Sequence, residues 1–205
     1  MTRTLRAAAF AAALLSALPL AARADTLLYQ SATFVDEAVS GGDYFIDDTR
    51  YLGAVFTVAG SVSLQAIGAN FTQFGDGNTI FGAIVPVSGG RAGDVASTAI
   101  AETLLTPVGG DQAAAISGTL GPGTYAVVFG SGLFGANGSS GLVSGQNAVG
   151  TPSLIQYSGS PLTSAVFGDD TLRVTVFASA VPEPATALLA AAGLLALGLR
   201  RRRGE

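Results

Sequence analysis

The sequence predicts an all-β protein: an antiparallel two-sheet β-sandwich of jelly-roll-like topology, with an N-terminal signal helix and a C-terminal transmembrane helix. Two observations predict the sandwich. Apolar and polar residues alternate along short runs between residues 26 and 178, which is the pattern of half-buried strands. Turn signals rich in Gly, Pro, Asn and Asp separate these runs roughly every ten residues, and no long helical period interrupts them.

The N-terminal segment, residues 1–24, has the three parts of a secretory signal peptide. Arg3 and Arg6 supply the positive charge, residues 7–20 form the apolar region, and small residues precede the predicted cut between Ala24 and Asp25. Signal peptidase is therefore an expected processing enzyme, and the body is expected to cross the inner membrane. An uncleaved N-terminal anchor is the alternative.

The body, residues 25–180, is predicted to form one domain of eight or nine short strands. The predicted strands are residues 26–34, 51–58, 61–74, 79–87, 112–120, 124–129, 154–157 and 171–178, with residues 95–105 either a strand or a short helix. Leu64 and Phe71 have opposite parity, so a bulge near residues 68–70 is expected. Residues 130–153 contain seven glycines and are expected to form a long loop, attached to the core by Leu133 and Phe134.

Composition excludes several classes of chemistry. The chain has no His, Cys, Lys or Trp, so His- or Cys-based nucleophilic catalysis, His/Cys zinc sites, Schiff-base lysines and disulfides are excluded. Of the ten arginines, only Arg50, Arg91 and Arg173 lie in the body, which also holds twelve acidic residues. The formal net charge of the body is therefore 3 − 12 = −9. A body of this charge argues against nucleic acid as a partner.

Acidic residues cluster early in the body and suggest a calcium site. The candidate ligands are Asp36, Asp43, Asp47 and Asp48, because carboxylate oxygens are ligands that calcium prefers. No other cofactor is expected. The alternative is that these acids serve turns and solvation. A carboxylate-dependent glycan hydrolase is a further alternative, and its candidates are the same acids with Glu37, Asp169 and Asp170.

Tyr44 is the candidate ligand-binding residue. It lies in a polar segment that is predicted to be a loop, residues 41–50, and sugar-binding sites use aromatic rings as stacking platforms. The alternative is that Tyr44 only anchors a loop. The body is thus predicted to be noncatalytic, with a carbohydrate-binding module as the alternative function.

The C-terminal segment, residues 181–205, has three parts in a fixed order. Pro182, Glu183 and Pro184 come first, an uncharged apolar run over residues 185–199 follows, and four arginines come next: Arg200, Arg201, Arg202 and Arg203. The apolar run is predicted to be a transmembrane helix of about 22 Å, and the arginines are expected to hold its end on the cytoplasmic side. A plain tail anchor is the alternative.

This order of triplet, span and basic end resembles the PEP-CTERM sorting signal of Gram-negative bacteria. The resemblance implies that an exosortase, a membrane protease-transpeptidase, recognises the tail and cuts near Pro182, Glu183 and Pro184, which are substrate residues. It implies a protein anchored transiently in the membrane and then sorted to the cell surface, outer envelope or extracellular matrix. It further implies a link to extracellular polysaccharide or biofilm.

Overall fold

The computed structural model describes residues 26–33, 43–73, 78–144, 146–167, 172–181 and 193. The described part is nearly all β: fifteen strands and a single four-residue helix, α1 (Val95–Thr98). Every strand pairing within it is antiparallel. The prediction of an antiparallel all-β protein is confirmed.

Six strands form the first sheet. They are β1 (Thr26–Gln30), β3 (Asp43–Ile46), β5 (Val62–Gln73), β9 (Gly110–Leu120), β11 (Ser140–Val143) and β15 (Val174–Ala180). The long strand β5 lies at its centre. One edge of β5 pairs with β9, and the other pairs first with β15 and then with β11. Strand β1 pairs with β15, and β3 pairs with β11.

Seven strands form the second sheet, in the order β14-β13-β4-β10-β6-β7 with β8 also paired to β6. They are β4 (Tyr51–Val58), β6 (Ile80–Ser88), β7 (Arg91–Ala92), β8 (Ala101–Leu105), β10 (Gly123–Gly130), β13 (Ser153–Ser158) and β14 (Thr163–Phe167). A separate two-stranded ribbon joins β2 (Ala32–Thr33) to β12 (Asn147–Ala148). The chain crosses repeatedly between the sheets, as in the connections β4–β5 and β9–β10.

Side chains from both sheets share one buried core. The rings of Phe71 (β5) and Phe129 (β10) meet edge to face with centroids 5.1 Å apart. Tyr29 (β1) stacks on Phe56 (β4) at 5.7 Å. Each of these contacts joins a residue of the first sheet to one of the second, so the two sheets are packed together by their apolar faces.

The second sheet also encloses a core of its own on its other face. Its edge strands meet where the Ser164 hydroxyl accepts from the Ala92 backbone N–H at 3.1 Å and donates to the Ala92 carbonyl at 2.9 Å. The sheet is therefore curled into a nearly closed shape. Tyr51, Phe81 and other buried side chains fill it, and Phe134 caps it with its ring 5.4 Å from that of Phe81. The sequence prediction of a sandwich did not include this second core.

Two further details differ from the sequence prediction. The bulge in β5 lies at Gln65, because the consecutive residues Phe177 and Ala178 of β15 pair with Ala66 and Leu64, and it does not lie near residues 68–70. A bulge at Gln65 already turns both Leu64 and Phe71 to the shared core. The predicted loop 130–153 contains β11, all of whose residues are buried, as well as β12. Leu133 and Phe134 pack on the second core, as the sequence suggested.

Candidate functional site

Tyr44 lies on β3, which pairs with β11, so the prediction that it lies in a loop is wrong. It faces a groove between the two sheets. Its side chain remains 38% exposed, and its backbone pairs with Leu142 of β11. The groove has a volume of about 260 Å³. Its described lining residues are Tyr44, Leu52, Leu154, Ile155, Gln156, Phe167 and Leu172. We call this lining the Tyr44 groove.

The Tyr44 groove exposes both polar and apolar surface, and it carries two exposed aromatic rings. Phe167, at the end of β14, is 47% exposed. The Gln156 amide and the Tyr44 hydroxyl supply the polar side-chain groups of the described lining, which contains no carboxylate. Aromatic faces beside a few hydrogen-bonding groups suit a ligand that has both an apolar face and hydroxyls.

Asp47 is used as a turn residue. Its Oδ1 accepts hydrogen bonds from the Thr49 backbone N–H at 2.7 Å, the Thr49 hydroxyl at 2.7 Å and the Arg50 backbone N–H at 2.9 Å. Partial burial raises the pKa of the Asp47 carboxyl, but these hydrogen bonds and the Arg50 charge together lower it below its usual value. Asp47 therefore fixes the turn that precedes β4.

The structure brings together only part of the predicted calcium cluster. Asp47 and Asp48 are neighbours before β4, whereas Asp36 and the side chain of Asp43 lie outside the described residues. Glu37, Asp169 and Asp170 also lie outside them. Within the part of the chain that the structure describes, no group of three or more acidic side chains is close enough to hold a metal ion.

A charged network crosses the outer face of the first sheet. Arg173 Nε donates to Asp111 Oδ2 at 2.6 Å, and Arg173 Nη1 donates to the Ala32 carbonyl at 2.6 Å. Arg173 precedes β15 and Asp111 belongs to β9, so the ion pair spans the intervening strand β5 at Asn70. This network ties the β2–β12 ribbon to the sheet, and we assign it a structural role.

Two buried tyrosines of the second core also have structural roles. The Tyr157 hydroxyl donates to the Gly93 carbonyl at 2.6 Å. Burial, with the nearby Asp94 charge, raises the pKa of Tyr157 above its usual value. Burial is also the main cause that raises the pKa of Tyr51, with smaller effects from nearby aspartates. Both phenols therefore stay protonated at physiological pH.

The first sheet ends directly before the predicted sorting signal. Ala180 is the last residue of β15 and pairs with Val62, and the Val181 N–H donates to the Ser61 carbonyl at 3.0 Å. Comparison with protein-family models matches residues 180–203 to the PEP-CTERM protein-sorting motif. The chain carries a PEP-CTERM sorting motif. The recognition made from the residues is thereby confirmed, and the chain is an exported protein that an exosortase sorts to the cell surface or extracellular space.

The residues that carry the sorting chemistry lie outside the described part of the structure. These are the predicted cleavage pair Ala24 and Asp25, the triplet Pro182, Glu183 and Pro184, and the arginines Arg200, Arg201, Arg202 and Arg203. Among the residues that are described, no helix is both long and apolar enough to cross a membrane. The predicted span 185–199 falls outside them except for residue 193. No curated protein matches the chain.

The sequence pointed to Tyr44 as a candidate ligand-binding residue, which stays a prediction, and it did not point to Phe167, which lines the same groove. Tyr44 stood out as an aromatic residue in a polar stretch. Phe167 ends a short run, Thr-Ser-Ala-Val-Phe, whose alternation is too weak to predict a strand. Only the pairing of β14 with β13 brings Phe167 into the groove.

Proposed function

We propose that this chain is a noncatalytic protein that an exosortase delivers to the outer envelope or extracellular matrix, where it works together with extracellular polysaccharide. The observation that supports this proposal best is the PEP-CTERM match over residues 180–203, which begins at the last residue of β15. In this proposal signal peptidase cuts between Ala24 and Asp25. Residues 185–199 then hold the protein in the inner membrane until the exosortase acts.

Cell fractionation tests the delivery step. In exosortase-positive cells the chain is expected in the medium or matrix, and replacing Pro182, Glu183 and Pro184 together by alanine is expected to keep it in the membrane fraction. Gly60→Ala is the matched control, because a Cβ at Gly60 has no neighbouring atom within 4 Å. Equal distribution of the triplet variant and the control would contradict the proposal. Loss of matrix association in cells that make no extracellular polysaccharide would support the proposed link between this protein and the polysaccharide.

The Tyr44 groove supports a second candidate function, that of a carbohydrate-binding module. Tyr44 and Phe167 provide two exposed rings beside one amide, and stacking of sugar rings on aromatic faces is a common basis for such binding. Phe45 is the matched control. It neighbours Tyr44 on β3, is 43% exposed, and is not among the residues that line the groove.

A polysaccharide pull-down tests the groove. Tyr44→Ala and Phe167→Ala are each expected to reduce the retained protein at least several-fold, whereas Phe45→Ala retains it. Similar losses in all three variants would indicate a general loss of folding. Full retention by Tyr44→Ala would remove the carbohydrate proposal.

Calcium binding by the early acids remains a proposal. It is supported by the closeness in sequence of Asp36, Asp43, Asp47 and Asp48, two of which adjoin the turn before β4. We expect calcium to raise the melting temperature of the protein relative to EDTA, because a ligand that binds only the folded state stabilises it. Identical melting temperatures would exclude this site.

A further inference from the structure

We propose that the body stands on the membrane on one defined end before it is cut, and that this end is an interaction surface for the bilayer. We call it the proximal end; it comprises residues 58–64, 118–125 and 176–181. The opposite end, which we call the distal end, comprises residues 47–50 and 106–111. The inference rests on the proposed function, because it requires the tail to be held in a membrane.

The distance between sheet and predicted span is the first argument. Hydrogen bonding of the first sheet continues to Val181, whose N–H donates to Ser61. The predicted span begins at residue 185, so only residues 182–184 lie between. A fully extended chain covers at most about 3.6 Å per residue, which limits the distance from Val181 to residue 185 to about 14 Å.

The body is longer than this tether. The pairing of β5 with β9 runs from Val62–Leu120 at the proximal end to Phe71–Gly110 at the distal end. Nine residues at ~3.3 Å each make this length about 30 Å. Strand β15 pairs with β1 on one edge and β5 on the other, so it cannot extend the tether without breaking the sheet. The proximal end is therefore held close to the bilayer and the distal end is held away from it.

The start of the body lies near the same end. Thr26, the first residue of β1, pairs with Ala178 of β15. The predicted signal-peptide cut, between residues 24 and 25, therefore lies next to the start of β1. The partner of Thr26, Ala178, is three residues before Val181, the last residue that is hydrogen-bonded to the first sheet. Both membrane-linked segments leave from one side, so export can begin and sorting can finish without inverting the body.

Charge is sparse in the segments that define the proximal end. Residues 58–64, 118–125 and 176–181 include no charged side chain, whereas Asp47, Asp48, Arg50 and Asp111 lie at the distal end. Strand β6 runs toward the proximal end, where Pro86 pairs with Tyr125, so the exposed Arg91 of the following β7 adds a positive charge on this side. Charges some 30 Å from the headgroups are several Debye lengths away at physiological salt, where that length is about 8 Å. The acidic residues of the distal end therefore do little to oppose contact between the proximal end and an anionic membrane.

Single-cysteine labelling tests the orientation, because the chain has no cysteine of its own. Gly60→Cys places the label at the proximal end, in open space. Val108→Cys places it at the distal end, where Val108 is 64% exposed. The full chain is produced in a bacterial host without an exosortase, labelled with a fluorophore, and reconstituted into vesicles whose lipid headgroups carry a nitroxide quencher.

We expect the label at residue 60 to be quenched several-fold more strongly than the label at residue 108. A flexible linker of about twenty Gly and Ser residues between Val181 and Pro182, with a root-mean-square length of roughly 25 Å, is expected to weaken quenching at residue 60. Equal quenching of both labels in vesicle-bound protein would overturn the orientation alone. Failure of the labelled chain to float with the vesicles would overturn the membrane-anchored step of the proposed function and, with it, the orientation.

Discussion

The contact between Phe71 and Phe129 offers a direct test of how the two sheets are joined. Both side chains are almost completely buried, and their rings meet edge to face at 5.1 Å. Replacing either by leucine removes three side-chain carbons. At about 0.8 kcal/mol for each buried methylene-sized group, the lost burial alone is expected to lower the free energy of unfolding by about 2 kcal/mol in each single variant, and the lost ring contact adds to this.

The double substitution is expected to be less damaging than the sum of the two. An edge-to-face pair contributes about 0.5–1.5 kcal/mol beyond buried area, and either single substitution already removes that contribution. The double variant should therefore fall short of the sum by about 1 kcal/mol. Urea denaturation of the secreted protein, followed by circular dichroism because the chain has no tryptophan, measures all four free energies.

A control cycle pairs Phe71→Leu with Ile155→Val. Ile155 is buried in the second core, whereas Phe71 belongs to the shared core, so these two substitutions are expected to be additive. If Phe71→Leu and Phe129→Leu are also additive within about 0.3 kcal/mol, the two rings are not in contact, and the packing of the sheets described above would be wrong.

Three more predictions concern single positions. Because the pKa of Asp47 is lowered in the folded state, its ionised form stabilises the fold above about pH 4, and this stabilisation is lost as pH falls through the folded-state pKa. In Asp47→Ala, the free energy of unfolding should therefore fall less steeply with decreasing pH in this range than in the unchanged protein. Gly53→Ala should prevent folding and secretion, because its Cβ would lie 1.7 Å from the Val127 carbonyl oxygen, while Gly60→Ala should secrete normally. Arg173→Met should lower the free energy of unfolding by about 1–3 kcal/mol in urea denaturation, because it removes hydrogen bonds to a carboxylate and a carbonyl; no measurable change would contradict the assigned structural role.

The sequence predicted the regular strands well where one residue in two is apolar or the strand is bounded by clear turns. Strand β4 occupies residues 51–58 as predicted, since Leu52, Ala54, Phe56 and Val58 alternate toward the shared core. The short strands were missed for different reasons. Strand β3 lies in a stretch rich in acids, and β11 lies in a glycine-rich stretch, so neither has an alternating pattern long enough to be recognised.

The second core was beyond sequence reasoning because it depends on contacts between distant segments. Phe134 reaches Phe81 through a tight turn in which Phe134 itself has φ 54° and the flanking Gly132 and Gly135 have positive φ. Glycines that are typical of a flexible loop here allow a compact one. The same limit applies to the groove: Tyr44 was recognisable by its polar surroundings, whereas Phe167 becomes a candidate only after β14 is placed.

The sorting motif was recognisable from sequence alone because its signal is local. Pro182, Glu183 and Pro184, the apolar run and the arginines follow one another directly, and no folding is needed to bring them together. The calcium cluster is the opposite case. Its members are close in sequence, but whether Asp36 and Asp43 meet Asp47 depends on chain that lies outside the described residues, so this site stays a prediction.

Mass spectrometry of the mature protein tests the sorting of this chain most directly. In cells that contain the exosortase, the account predicts a C-terminus near Pro182, Glu183 and Pro184, with residues 185–205 absent from the product. It also predicts that the body keeps all of β15, because the hydrogen bonds of the sheet continue to Val181. A mature protein that still ends at Glu205 in such cells would contradict the account.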